Sequence, residues 1–350
     1  MKIFVPVVGQ FTNVGDVLHR RELLSWLKDV GELHIYLGNA PKSFIEGLKL
    51  DSNAILYTSL KKWLWMIFCS GYKKTTFVFN PGEIRLGRRR LIGEIALFPI
   101  QLLVRLKRGE VLRVGIAAMS NSSKNFLWLW KFLFMPATQI YWRTFHSKEM
   151  FNRGKVIPDL AFYDIAETNF SDSTRKDLTI SMRADCTLPS EKWFNAISEF
   201  SKDFNLNINV VSQVRMDNTS TVEIARKLNA RSVVWPDETS HFEQEKILTE
   251  IYLKTKLVLS DRLHVLIAAY SKGAIPANIL SVPSQKVQHH FSVLNLNNIS
   301  IVESEYDHKG LYLFLEEKIK GGKFFEDNLL KSKKMLEDVR LEILESITKK

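Results

Sequence analysis

Ser260-Asp261-Arg262-Leu263-His264 places a guanidinium and an imidazole two residues apart, directly after the apolar run Leu257-Val258-Leu259. Val265-Leu266-Ile267-Ala268-Ala269-Tyr270 follows, then Gly273 and Ile275-Pro276. The pattern predicts a buried strand, a turn, a helix whose first turn carries Arg262 and His264, and a return to extended chain after Gly273. Cations are poorly placed at that end of a helix, where the backbone dipole disfavours each by about 0.3–1 kcal/mol. The placement makes sense if an anion rests at the turn, held by free backbone N–H groups, the guanidinium and the imidazole. A solvated arginine and a histidine satisfied by a carbonyl would fit the local pattern equally.

A second candidate is Phe11-Thr12-Asn13-Val14-Gly15-Asp16, between an apolar run and a helical pattern. Gly15 is expected to permit a tight turn and Asp16 to cap the helix. At the mouth of a cleft, Asn13, Gly15 and Asp16 would face ligand, and the Asp16 carboxylate would take a proton from a hydroxyl. The spacing matches neither a dinucleotide-binding glycine motif nor a P-loop. Gln213, after Val210-Val211, is expected to face the same cleft. No histidine has metal-ligand spacing, and His289-His290 read as part of a polar loop.

The elements that must position these residues alternate between strand and helix. Strands are predicted at Ile3–Val8, Leu33–Leu37, Ala54–Tyr57, Phe77–Phe79, Leu112–Ile116, Ile140–Trp142 and Lys155–Ile157, with a helix over Asp16–Leu27. A polar stretch from Asp164 to Lys176, including Ser171, reads as a linker. Beyond it come strands at Leu178–Met182, Ile208–Val211, Ser232–Trp235, Leu257–Leu259 and Ile275–Ile279, with helices at Ser190–Phe204, Thr221–Leu228 and Glu243–Lys254. This alternation predicts an α/β protein of two Rossmann-like, open parallel-sheet domains facing a cleft. The expected domains are residues 1–165 and 175–325, followed by a C-terminal helix over 326–350.

The chain has 350 residues, longer than one core usually supports, which agrees with two domains. With 45% hydrophobic and 25% charged residues it is globular, not disordered. Two cysteines, Cys69 and Cys186, exclude a disulfide scaffold and fit a reducing compartment. Met1-Lys2-Ile3-Phe4-Val5-Pro6-Val7-Val8 reads as a first strand and not a signal peptide, so a cytoplasmic protein is expected.

The net charge of +11, from 49 Lys and Arg against 38 Asp and Glu, favours anionic partners. The basic residues cluster around apolar segments. Arg85, Arg88, Arg89 and Arg90 precede Leu91 to Leu106, and Arg105, Lys107 and Arg108 close it. Glu94 and Gln101 interrupt this stretch, leaving it short of the roughly 18–20 apolar residues of a membrane span. Trp63 to Phe68 and Phe126 to Phe132 are aromatic and aliphatic, with basic residues beside them. Such segments suit a peripheral contact with an anionic membrane, on the inner face of the plasma membrane for a cytoplasmic protein; buried helices with solvated basic ends would also account for them. The arrangement is unlike a basic stripe with stacking aromatics, so nucleic acid is not an expected partner.

Asn13-Val14-Gly15-Asp16, Trp142-Arg143 with Ser147, Pro158-Asp159-Leu160-Ala161-Phe162 and Arg262-Leu263-His264 occur in this order, with Lys286-Val287 beyond. The series resembles the polysaccharide pyruvyl transferase family over roughly residues 5 to 296. The resemblance implies two domains of GT-B-like architecture. It also implies transfer of a pyruvyl unit from phosphoenolpyruvate to sugar hydroxyls of a surface polysaccharide or its lipid-linked precursor, forming a ketal. Phosphoenolpyruvate would be a substrate, and no cofactor or metal is implied. On this resemblance Arg262 and Leu263 lie at the donor, Arg183 is a second anion clamp, and His264 is the general acid. Lys286 would belong to the acceptor side or cleft. Bidentate guanidinium groups suit so compact an anion, and ketal formation needs a proton donor at the methylene carbon. Asp16 and Asp185 are the candidate bases. Arg143 and Asp159 are expected to be an ion pair or turn.

Two stretches depart from the family pattern. Phe79-Asn80-Pro81-Gly82-Glu83 and Val114-Gly115-Ile116-Ala117-Ala118 each keep one glycine where the family is richer, which bears on the acceptor. The alternatives are a GT-B glycosyltransferase using a nucleotide sugar and a non-catalytic component of a polysaccharide-assembly complex.

Overall fold

The structure is a computed structural model describing residues 1–119, 126–166, 170 and 172–349; Ser171, counted above in the linker, lies outside them. The chain divides into two compact units. One comprises Met1–Phe11, Val17–Leu160 and Met335–Lys350, the other Thr12–Asp16 and Ala161–Lys334. Asn13, Gly15 and Asp16 therefore group with the second unit and not with the N-terminal residues around them.

The first unit holds a parallel sheet of eight strands: β1 (Lys2–Pro6), β2 (Glu32–Tyr36), β3 (Ile55–Tyr57), β4 (Thr75–Phe79), β5 (Gly82–Ile84), β6 (Glu110–Ala118), β7 (Gln139–Trp142) and β8 (Lys155–Val156). Their order is β3-β2-β1-β4-β6-β7-β8, with the short β5 beside β6. The central β6 is buried along its whole length, as a parallel strand covered on both faces must be. Ile55 and Leu56 of β3 are exposed, because β3 is the edge of the sheet.

An ion pair lies deep in this core. Arg113 of β6 donates to Glu94 at 2.7 Å, and its guanidinium carbon lies 3.5 Å and 3.7 Å from the ring centres of Phe79 and Phe134. Burial pushes its pKa down and Glu94 opposes that push. Glu94 and Gln101, which read as breaks in an apolar run, are thus the inward face of the helix Arg88–Leu106. Arg143 and Asp159 form a second buried ion pair, at 2.5 Å.

The second unit holds six parallel strands: β9 (Asp177–Ser181), β10 (Asn207–Val211), β11 (Arg231–Val233), β12 (Thr255–Ser260), β13 (Ile275–Leu280) and β14 (Ser300–Val302). Their order is β11-β10-β9-β12-β13-β14. The chain starts at the centre, winds outward to β11, then returns beside β9 and winds the other way. This is the doubly wound arrangement, and its direction reverses between β9 and β12. β11 ends before Trp235, whose indole donates to the Thr239 carbonyl and whose N–H is taken by Asn218. His289 and His290 lie in a helix, Lys286–Phe291, and not in a polar loop. The last helix spans Gly322–Thr348.

Removing one partner of a buried ion pair strands the other. Glu94→Ala is therefore expected to destabilise the protein by about 3–5 kcal/mol. Urea denaturation of variant and wild type measures it, and a difference near zero would show that Arg113 is satisfied without Glu94.

Candidate functional site

The carboxyl ends of β9 and β12 flank the reversal of strand order, where doubly wound sheets bind ligands. Both ends are pinned. Ser260 Oγ donates to the Ser181 carbonyl at 2.5 Å and accepts the Arg262 N–H at 3.0 Å, while Asn278 donates to the Ser260 carbonyl at 2.6 Å. The helix begins at Leu263, so Arg262 occupies the capping position with extended backbone. It stands one residue outside the first turn expected for it.

Within the protein the Arg262 guanidinium is met by a carboxylate. Arg262 Nε and Nη2 donate to the two carboxylate oxygens of Asp217 at 2.8 and 2.6 Å. Asp217 also accepts the Ala184 N–H at 3.0 Å. Its side chain is fully buried, whereas Arg262 keeps 17% exposure. One carboxylate thus joins the loops after β9, β10 and β12. Sequence reasoning missed Asp217. It closes a short turn, Arg215–Asp217, directly before the helix Asn218–Lys227, a helix expected to start only at Thr221.

Arg183, after β9, makes a bidentate pair with Asp185 at 2.8 and 2.6 Å. That hydrogen bonding lowers the Asp185 pKa to about 2 and raises that of Arg183. A carboxylate held so low is a weak base, so Asp185 is poorly suited to the role considered for it. Asp261 behaves oppositely. It accepts the Arg183 N–H at 3.0 Å, and burial pushes its pKa up to about 6. It is a second residue missed from sequence, hidden because its proton affinity depends on what surrounds it.

The N-terminal motif reaches the same turn. Asn13 pairs with Val214 in an antiparallel bridge, and Val14 donates its N–H to the Gln213 carbonyl at 3.3 Å. The helix Val14–Leu27 starts two residues earlier than expected, so Asp16 lies inside its first turn instead of capping it. Asn13 makes the local turn, its Oδ1 accepting the Gly15 N–H at 2.8 Å. Gly15 is needed for another reason than a tight turn. A Cβ there would lie 2.3 Å from the Cβ of His264 and 2.9 Å from its Nδ1. Only a residue without a side chain lets His264 approach so closely. An Asp16 carboxylate oxygen and a ring nitrogen of His264 lie within 4.8 Å of each other.

The remaining expected residues play other parts. Gln213 is buried at 2% exposure and accepts a hydrogen bond from the Tyr252 hydroxyl at 3.2 Å. It supports the Asn13–Gly15 segment through its carbonyl. Leu263 is packed in the interior. Lys286 stands exposed at the first residue of its helix. The structure therefore gathers Asn13, Gly15, Asp16, Arg262 and His264 with Asp217, and sets Arg183 beside Asp261. An oriented guanidinium next to an imidazole and a carboxylate can hold an anion and move a proton.

A family model described as polysaccharide pyruvyl transferase matches residues 13–274 of the chain. No curated protein matches it by sequence. Among solved structures, UDP-GlcNAc 2-epimerase from Neisseria meningitidis bound to UDP-GlcNAc superposes with a TM-score of 0.57 at 11% identity, covering 98% of this chain and 100% of that one. Anabaena HepE in complex with UDP and glucose gives 0.58 at 12% identity over 100% of both chains. Phytolacca americana UGT2 complexed with UDP-2fluoro-glucose and pterostilbene gives 0.55 at 12% identity, covering 97% and 98%. At these identities the likeness is one of fold, the GT-B type of two Rossmann-like domains.

Two consequences are measurable. Alanine favours a helix over glycine by up to about 1 kcal/mol. Even so, Gly15→Ala is expected to destabilise the protein by roughly 1–3 kcal/mol, because the methyl overlaps His264. Thermal denaturation and the His264 imidazole NMR signals report both effects, and an unshifted imidazole would refute the contact. Asp261 keeps its proton to about pH 6 when folded but only to 3.8 unfolded. Between those values the native state holds more protons, so this group's stability contribution falls as pH rises. Asp261→Asn removes that loss and should gain on the order of 3 kcal/mol at neutral pH relative to its effect below pH 4. Equal effects at both pH values would place the Asp261 pKa near that of an ordinary carboxylate.

Proposed function

Because the chain belongs to the polysaccharide pyruvyl transferase family, we propose that it transfers a pyruvyl unit from phosphoenolpyruvate to a sugar of a surface polysaccharide or its lipid-linked precursor. The observation that supports this most is the packing of Gly15 against His264. It unites the two motifs of the family resemblance at one turn, beside the Arg262–Asp217 pair.

Asp217 occupies one edge of the Arg262 guanidinium and orients it, leaving Nη1 for the phosphate or carboxylate of the donor. Arg183 sits on the neighbouring loop, partly exposed, and would exchange Asp185 for the same anion. His264 gives its proton to the methylene carbon of phosphoenolpyruvate, which becomes a methyl group, and positive charge develops at the carbon bearing the phosphate. A sugar hydroxyl adds to that carbon and loses its proton to Asp16. Phosphate then departs with the electrons of its C–O bond. A second hydroxyl of the same sugar closes the ring, its proton passing to solvent. Phosphoenolpyruvate and one diol give one ketal and one phosphate. Asp261 is a second acceptor for a hydroxyl proton, given its pKa of about 6. The setting is the cytoplasm, at the inner face of the membrane where lipid-linked sugars are assembled.

The second reading is a nucleotide-sugar glycosyltransferase, favoured by the fold shared with the UDP-bound Anabaena protein. There the same guanidinium would hold a diphosphate. Calorimetry with phosphoenolpyruvate, UDP-glucose and GDP-mannose separates the two. Phosphoenolpyruvate should bind wild type and lose at least about tenfold in affinity in Arg262→Ala, a hydrogen bond between charged groups being worth roughly 1.5–3 kcal/mol. His264→Ala should bind the donor yet form no ketal. Binding of a nucleotide sugar alone would favour the second reading, and normal turnover by His264→Ala would remove the acid assignment.

A further inference from the structure

The helix Arg88–Leu106 buries Leu91 and Val104 beside Glu94 and Gln101, yet carries a second set of apolar residues on its outer side. Glu94 and Gln101 point inward, 2% and 0% exposed, and both engage Arg113. Ile92, Ile95, Leu102 and Leu106 point outward with 67%, 46%, 42% and 79% exposure, and Pro99 between them is exposed as well. These positions recur three or four residues apart, so they form one stripe along the helix. A soluble helix places its polar residues on that side.

The stripe is part of a wider face. On one flank Lys107 donates to the carbonyls of Ile67, Phe68 and Ser70, which ties in the helix Leu60–Cys69 with Trp65 and Phe68 at 63% and 58% exposure. On the other flank the Phe98 and Phe132 rings lie 5.1 Å apart, joining the helix Leu127–Leu133, whose Trp128 is 70% exposed. Exposed apolar surface of this extent marks an interaction site.

Charge identifies the occupant. The three helices carry a single acidic residue, Glu94, and it is buried. Arg88, Arg89 and Arg90 fill a first turn that has no acidic residue and no side-chain cap. Arg90 alone reaches Glu94, at 4.0 Å. Three guanidinium groups at the positive end of a helix dipole call for outside anions. Two copies meeting through this face would oppose like charges. An anionic bilayer supplies phosphates for the arginines and acyl chains for the stripe, with Trp65 and Trp128 at the boundary. No helix among the described residues is long and apolar enough to cross a membrane.

We propose that this face of the first unit docks on an anionic lipid bilayer, with helix Arg88–Leu106 lying in the headgroup plane. Nothing in this docking depends on the donor assignment, so vesicle binding and donor binding can fail separately.

The experiment is co-sedimentation of the full chain with vesicles of phosphatidylcholine alone or of equal parts phosphatidylcholine and phosphatidylglycerol. Binding is expected to the mixed vesicles and to weaken with salt. Substituting Arg88→Ser, Arg89→Ser and Arg90→Ser together should weaken it roughly a hundredfold. The pair Ile92→Ser and Leu106→Ser should weaken it about tenfold or more at unchanged charge. Both sets alter exposed residues, and circular dichroism checks their folding. A blue shift of wild-type tryptophan fluorescence on binding is a readout that needs no variant. Absence of binding to mixed vesicles, or binding unaffected by either set, would overturn the proposal. A lipid-free dimer in sedimentation velocity, dissolved by Ile92→Ser with Leu106→Ser, would overturn it in favour of a second copy.

Discussion

The bidentate pair between Arg262 and Asp217 is the constraint on which the second unit's site depends. A buried carboxylate is tolerated only when its charge and lone pairs are met, and Asp217 meets that condition with one guanidinium and the Ala184 N–H. Those partners come from the loops after β12 and β9, while Asp217 itself follows β10. The carboxyl ends of three strands are thereby held in register at the reversal of the sheet. The hydroxyls of Ser260 and Ser220 extend the same scaffold to the carbonyls of Ser181 and Met182. The guanidinium keeps a small exposed fraction, so the interaction that builds the loop cluster also orients a cation toward solvent.

Close approach is the second constraint. Gly15 and His264 touch at a separation that no side chain at position 15 would allow. The segment bearing Gly15 is kept there by its main chain, through the Asn13–Val214 bridge and the Val14–Gln213 hydrogen bond. Gln213 in turn is anchored by Tyr252. Gln213 is thus a support for that segment, and a glycine that looked like a turn former is a spacer. Each change of role follows from a contact between segments distant in sequence.

The first unit shows the same logic in its core. Arg113 needs an anion because it is buried between two aromatic rings, so Glu94 and Gln101 turn inward. Leu91 and Val104 share that inward face, while Ile92, Ile95, Leu102 and Leu106 stay outward.

The sequence by itself determined the class of fold, the family, and the two motifs that meet at the site. Strand and helix periodicities are local, and Asn13-Val14-Gly15-Asp16 and Arg262-Leu263-His264 are short contiguous strings. Tertiary structure alone decided which residues partner them. Asp217 lies forty-five positions from Arg262, and nothing in its neighbours marks it as the counter-ion. The proton affinities of Asp185 and Asp261 diverge because one meets a guanidinium and the other is desolvated, differences that arise only on packing. Edge exposure of β3 depends on strand order. A sequence carries the chemistry of each side chain, but distance and dielectric surroundings exist only in the fold.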